Sequence, residues 1–530
     1  MRRDRLSLFG LGAAMVAVAL VTGGCDFITN ASQSTAGTGQ NTHHPSLSND
    51  GRIVAFAAKA VRGSDLVAPG DGLELFARDL RTGTVTAIST PLSGAPQGQS
   101  QDASISADGR VVAFASGNDN LVPGDTNGSY DIFVRRLDGS ATQRVNLGPQ
   151  GVQGNLSSLE PSISGDGNLV VFSSDASTLA PGDTNNRTDV YLANVSAHTV
   201  TRITGATGGS HPTISADGRF VAFNSDDPNL VPNDTNGHWD IFVKELSTGN
   251  FRLASVAANG GATNQSSIFT AISRDGRYVA FVSEASNLVP ADTDQNVDLF
   301  RRDLTNNTTE WISVAADGGP GREPNGNPGG AFMPAISGNG RQVTFISRSS
   351  NLTATPSPNQ GRDQAFVRDV ESHRTTYGSA NNAGGPASGD GVSTNEPMAI
   401  SGDGRYVAFG SNATNLIGGE PVDATMDIYV RYSTQPEVRT VSPSTVARGA
   451  TTTITLSGVG FLSGATIAVS GTGVQVTNTT INSANTAHIT VTVAANAPVG
   501  PRDITVTNVG SGPGPAANSV STCGQCLRIT

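Results

Sequence analysis

Four stretches of this 530-residue chain set oxygen-bearing side chains at a spacing a hard cation could use. Each reads D-T-[ND]-x-x-x-D: Asp125, Asn127 and Asp131; Asp183, Asn185 and Asp189; Asp234, Asn236 and Asp240; Asp292, Asp294 and Asp298. Ca²⁺ wants roughly six to eight oxygen ligands, and alternating Asp and Asn closed by a further carboxylate suit it. The same residues also build Asx-turns, the second Asp then fixing the entry to a strand. Repulsion alone does not force a metal, because two exposed carboxylates ~5 Å apart cost about 1 kcal/mol in a water-like dielectric. The pattern lacks the fifth-position ligand of an EF-hand loop. It also weakens at Asp71-Gly72-Leu73-Glu74 and from Pro358 to Asp363. Ca²⁺ is the one cofactor these residues suggest.

No other residues assemble a reaction centre. The histidines are scattered: His43 and His44 close a polar N-terminal stretch, and His198, His211, His238, His373 and His488 follow without an H-E-x-x-H pair. His238-Trp239 is a loop pair able to touch a ligand. The tail of about 94 residues holds no G-x-S-x-G elbow. A sialidase-type S-x-D-x-G-x-x-W box fails because Gly directly follows Asp and no Trp comes after. No catalytic residue is assigned, and the chain reads as non-enzymatic.

The elements that must carry these loops recur. An S-x-D-G-R turn places Asp at 50, 108, 166, 217, 275 and 403, with Asn339 in the sixth unit, which makes seven units. Asp-Gly between apolar runs predicts a type I′ hairpin turn with positive φ at both central residues. Runs such as Val111-Val112-Ala113-Phe114-Ala115 are apolar on both alternate faces, so both must be covered. A second run follows, Asp131-Ile132-Phe133-Val134 or Asp427-Ile428-Tyr429-Val430, then a polar turn and a weaker strand. Four strands per unit, without a 3.6-residue period, fit blades stacked around an axis.

The units resemble the WD40-like repeat of the TolB-family propeller, P-x-h-S-x-D-G-x-x-h-A-F followed by D-h-[YF]-h. Pro161-Ser162-Ile163-Ser164, Pro212-Thr213-Ile214-Ser215 and Pro334-Ala335-Ile336-Ser337 carry its opening. The resemblance spans about three quarters of the chain and implies a fold rather than a function. The a-b and c-d turns are short, whereas the b-c loops and the crossovers between units are long. In a meander all the long loops fall on one face, the arrangement of a recognition surface. The seventh unit lacks an obvious fourth strand, which either the N-terminal segment or Val438 to Val441 could supply.

Arg2, Arg3 and Arg5, the apolar run Leu6 to Val21 and Thr22-Gly23-Gly24-Cys25 read as a signal peptide over 1–24. The end of this segment looks like a bacterial lipobox, which implies lipidation of Cys25; ordinary secretion is the alternative. Residues 25–42, polar and small, read as a flexible tether. The propeller is expected over 43–435. Beyond it, Val441-Ser442-Pro443, Gly458-Val459-Gly460-Phe461 and the Thr/Val alternation of Ile504 to Thr507 read as a β-sandwich over 436–530. That stretch looks like an IPT/TIG immunoglobulin-like domain. Cys523 and Cys526, in an exported chain, predict a small disulfide loop. The net charge of −11 argues against nucleic acid.

The expected fold class is thus all-β, a seven-bladed β-propeller followed by a small immunoglobulin-like β-sandwich. The expected function is a monomeric, lipid-anchored protein outside the cytoplasm that binds an envelope protein or a cell-wall glycan by its long-loop face. A hydrolase using the Asp-rich loops and a spacer without a ligand are the other readings.

Overall fold

Residues that alternate Val, Ala and Phe on both faces of a strand can hide them only between two neighbouring sheets. The computed structural model describes residues 26–32, 42–59, 66, 72–95, 98–232, 234–293, 295–322, 329–353, 362–381, 387–388, 392, 396–417, 426–433, 436–459, 461, 464–483, 486–508 and 519–530. Among these, residues 26–433 form seven four-stranded antiparallel sheets, the arrangement of a propeller. They are numbered here in chain order. Sheet two, for example, is Ser100–Ile105, Val111–Ser116, Asp131–Arg136 and Gln143–Arg144, from the inside outward.

Val112 and Phe114 of sheet two pack on Ala55, Ala57 and Leu75 of sheet one, while Val111 and Ala113 pack with Val170 and Phe172 of sheet three. Small residues on one sheet receive large ones from the next. Within sheets, aromatic residues oppose each other across the second and third strands, as Phe114 and Phe133 do at 5.6 Å. Burying each such ring stabilises the fold by roughly 1.5–3 kcal/mol.

The turns are pinned by Ser and Asp side chains rather than by type I′ geometry. Only the Gly has positive φ, 71° at Gly109, and the preceding Asp does not. Ser106 Oγ donates to Asp108 Oδ1 at 2.7 Å, the Arg110 amide donates to the same oxygen at 3.1 Å, and the Val111 amide donates to Ser106 Oγ at 3.0 Å. Asn339 fits because its Oδ1 accepts the same two bonds. An acceptor oxygen, not tolerance of left-handed φ, is what the position selects.

The inner turns then join each other around the axis. Asn49 donates its amide to Ala107, Ala107 to Gly165 and Gly165 to Ala216; Asp217 donates to Arg274, Arg274 to Gly338, and Gly402 back to Asn49. The packing closes as well, since Phe56 and Phe76 of sheet one lie against Ala408, Ile428 and Val430 of sheet seven.

The fourth strand of sheet seven comes from the N-terminus. Asp26–Asn30 pairs antiparallel with Asp427–Ser433, Asp26 opposite Ser433 and Asn30 opposite Tyr429. The tether expected over 25–42 is therefore corrected at its start: Asp26–Asn30 belongs to the sheet, satisfying its open edge and placing Ile28 in its core, while residues 33–41 lie outside the described residues. Val438 to Val441 belongs instead to Glu437–Ser442, an edge strand of the C-terminal unit. There, two four-stranded sheets enclose one core that includes Ile454, Leu456, Ile489, Val506 and Leu527. The signal segment 1–24 and Cys25 lie outside the described residues.

Candidate functional site

The innermost strands carry a feature the repeat grammar does not announce. In six sheets this strand holds one extra residue, and a non-glycine residue takes left-handed φ there: His44 (52°), Asp102 (55°), Glu160 (56°), His211 (52°), Phe269 (52°) and Met333 (51°). Pro397 holds the seventh place. Such a conformation is costly for a side chain with a Cβ, and here it is offset by hydrogen bonds across sheets. The His44 amide donates to Glu396 Oε2 at 2.9 Å, and the His211 amide to Glu160 Oε2 at 3.0 Å. The six bulges aim these side chains at the axis.

Around that ring the chemistry is divided. His43 Nδ1 lies 2.7 Å from Glu396 Oε1, His44 Nδ1 lies 2.6 Å from Asp102 Oδ1, and His211 Nε2 lies 3.2 Å from Glu160 Oε1. Ser173 Oγ also donates to Glu160, at 2.7 Å. The opposite wall is apolar: Phe269 stands edge-on to His211 with ring centres 4.6 Å apart, and Met333 and Pro397 follow. Burial would lower the His44 pKa, but its hydrogen bond to Asp102 and the charges of Asp102 and Glu396 outweigh this and raise it. His44 and Asp102 still keep 23% and 20% of their side-chain surface exposed, so a ligand at the axis can reach them. Ser100, Ser116 and Asp131 lie abreast at the long-loop end, which puts Asp102 two residues inside the mouth on that face.

The Asp-rich loops sit at the same end but do other work. Their carboxylates are buried, not exposed as the repulsion argument assumed. In sheet two, the guanidinium of Arg144 lies 2.8 Å from Asp125 and 3.1 Å from Asp131. In sheet three, Arg202 is 2.8 Å from Asp189 and 3.7 Å from Asp183, which also accepts the Tyr191 hydroxyl. An arginine from the outermost strand fills the place a cation would take. Leu253 and Trp311 occupy that register in sheets four and five. There Asp240 accepts Ser255 and Thr263 hydroxyls, and Asp298 accepts Ser313.

The asparagines face the aspartates with nitrogen. Asn127, Asn185 and Asn236 donate Nδ2 to Asp131, Asp189 and Asp240 at 3.2, 3.1 and 2.7 Å. Their oxygens accept the amides of Ser129, Arg187 and His238 in Asx-turns. Burial first, then the Asp131 charge, pushes Asp125 up to about 6, with Arg144 opposing. Burial raises Asp234 and Asp240 too, and the charge of Asp240 adds to the first. Asp292 is buried, and Asp294 lies outside the described residues. Among the described residues, no three His, Cys, Asp or Glu side chains converge on one ion.

Cys523 and Cys526 are bridged on the last strand, Ser519–Ile529. His238 and Trp239 are half-buried in their loop. The axial ring escaped the sequence reading because His43, His44 and His211 are far apart in the chain. One signal was present: in the units that begin with Pro, the axial residue is the one before it, His44-Pro45, Glu160-Pro161, His211-Pro212 and Met333-Pro334.

No curated protein matches the chain. Residues 435–512 match the family model described as quinohemoprotein amine dehydrogenase, alpha subunit domain III. Solved structures similar to this chain are TolB-like and WD40-like propellers. TolB from Agrobacterium tumefaciens is 17% identical over 51% of this chain and 80% of its own, with a TM-score of 0.34. The propeller domain of the Trilobed protease from Pyrococcus furiosus is 12% identical over 74% and 95%, TM-score 0.43. Acylaminoacyl peptidase from Pyrococcus horikoshii is 11% identical over 80% and 59%, TM-score 0.41.

Proposed function

We propose that the chain is a seven-bladed propeller with an IPT/TIG-like immunoglobulin sandwich, exported and lipid-anchored through Cys25, that binds an envelope protein rather than catalysing a reaction. The axial mouth on the long-loop face is the site. The observation that supports this is the divided ring: Asp102 and Glu396 supply negative charge around His44 and Glu160 beside His211, and Phe269 and Met333 supply an apolar wall opposite. A Lys or Arg side chain, with a cationic head on an aliphatic stem, matches both walls.

The test is a pull-down from detergent-solubilised envelope with wild type and Asp102→Asn/Glu160→Gln, both checked for native melting. Loss of a partner in the variant supports the site; the same partners at the same yield in both would sink it. Calcium is a proposal for the loop of sheet four, where Leu253 rather than an arginine stands in the register beside Asp234 and Asp240. Superimposable melting curves with Ca²⁺ and with chelator would remove it.

A further inference from the structure

Five of the seven third strands are charged in one sense, while sheet three keeps only the acid, Asp189, with Ala193 four residues on. Asp131 begins and Arg135 follows four residues later; Asp240 is followed by Lys244, Asp298 by Arg302, Asp427 by Arg431. Sheet one repeats it with Glu74 and Arg78, and sheet six keeps the cation, Arg368, after Gln364. Four residues of strand span about 13 Å. Because the sheets run in the same direction around the axis, the acidic starts lie at the long-loop face and these cations at the short-turn face, where Asp79, Glu245, Asp303 and Asp369 directly follow Arg78, Lys244, Arg302 and Arg368. The inner turns add Arg52, Arg110, Arg219, Arg277, Arg341 and Arg405 to the basic end. Several of these arginines are paired with carboxylates at the same end, Arg52 with Asp79 and Arg341 with Asp369 and Glu371. A chain of net charge −11 thus carries an asymmetric field with one cationic end.

At that end, between sheets four and five, lies a cavity of about 320 Å³ lined by Arg219, Arg252, Arg277, Phe220 and Leu304, with Glu245 and Asp275 at its wall. Arg277 is paired with Asp303, and Arg219 lies 3.7 Å from Glu245 and 3.8 Å from Asp217. Arg252 is exposed and makes no ion pair among the described residues. The closing strand leaves from the same end: Asp26, next in the chain to Cys25, lies opposite Ser433 at the basic terminus of its neighbour.

We propose that the short-turn face is a docking surface for a bilayer containing anionic phospholipid, with a headgroup phosphate in the Arg219–Arg252 cavity. The long-loop face then points away from the membrane. This rests on the lipid-anchor reading for its orientation but not for its charge. A chain whose strand starts one residue after the acylated cysteine has no slack to stand off, and exposed cations such as Arg110, Arg219 and Arg252 gain from the headgroup potential.

Two measurements separate these parts. The unlipidated Cys25→Ser chain is sedimented with phosphatidylcholine vesicles with and without phosphatidylglycerol. Binding is expected with the anionic lipid alone, at least tenfold weaker for Arg219→Glu/Arg252→Glu; equal binding to both vesicles overturns the docking surface. The lipidated protein, carrying a fluorophore at Arg110→Cys or Thr184→Cys, is reconstituted with headgroup quencher. Quenching at 110 and not at 184 is expected; quenching at neither, as a sandwich acting as spacer would give, or at 184, overturns the orientation. Wild type that needs no detergent for release would refute the anchor, and the sedimentation result would still stand on its own.

Discussion

Ser32 Oγ donates to Asp427 Oδ1 at 3.0 Å across 395 residues of sequence, and accepts the Ile428 amide at 2.9 Å. The same pair of bonds recurs in the other six sheets. Ser89, Asn146, Thr204, Ser255, Ser313 and Ser379 each cap the first residue of their third strand, or the second in sheet one, always fifteen positions downstream of it. Ser32 thus performs for sheet seven what a local residue performs elsewhere. Replacing it by Ala strands a buried amide and removes a donor to Asp427, a loss of about 1–3 kcal/mol. Chemical denaturation of Ser32→Ala should show it, with the exposed Ser372→Ala as the comparison.

That recurrence shows what the sequence could and could not disclose. Turn, strand order and double-faced burial follow from S-x-D-G-R, V-V-A-F and D-I-F-V, because each is local. The fifteen-residue rule applied to Asp427 would point to Ser442, a residue of the right type that lies in the C-terminal unit. Closure is a property of the ring, and Ser32 could be chosen only by the open edge in space. The axial ring was hidden for the same reason: its members are 51 to 64 positions apart, and their φ values mark them only once the strands are laid side by side.

Glu74 is the acidic outlier among the capped positions. Burial pushes it up to about 7, with the Ser89 hydrogen bond opposing, and its Oε1 is without a hydrogen-bond partner. A carboxyl whose folded pKa is raised binds its proton more tightly in the native state, so stability falls as pH rises from about 4.5 to 7. Sheet six has Gln364 at this place, its Oε1 accepting Ser379. Glu74→Gln is therefore expected to gain on the order of 1–3 kcal/mol at pH 8 and little at pH 4. Urea titrations at the two pH values check this; an equal effect at both would disprove the protonation account.

Arg144 holds two buried carboxylates together. Arg144→Leu, which copies Leu253 of sheet four, leaves Asp125 and Asp131 facing each other without the cation. Breaking a buried ion pair from one side costs about 3–5 kcal/mol. Adding Asp125→Asn to that variant removes the repulsion and should recover part of the loss. A double-mutant cycle by denaturant unfolding measures the coupling, and strict additivity would show that Arg144 acts through packing alone.

His44 should make stability fall on the alkaline side. Its folded pKa is raised above 6.5 because Asp102 and Glu396 favour the imidazolium more than burial disfavours it. A histidine shifted in that direction contributes stability that is fully present below its unfolded pKa and is lost as pH rises through the folded value. The groups facing it are Asp102 from sheet two, Glu396 from sheet seven and His43 beside it, whose Nδ1 is held by Glu396. In wild type, melting temperature is expected to drop between pH 6.5 and the folded pKa; in His44→Gln, which retains a donor toward Asp102 but cannot titrate, that segment of the curve should flatten. Partner binding should follow the same curve in the opposite sense. Deprotonating His44 frees the charge of Asp102 and Glu396 for a cationic side chain, so the affinity of wild type should rise over the interval in which its stability falls, and His44→Gln should lose that pH dependence. Parallel profiles for the two proteins would mean that the imidazole does not control the mouth of the axis.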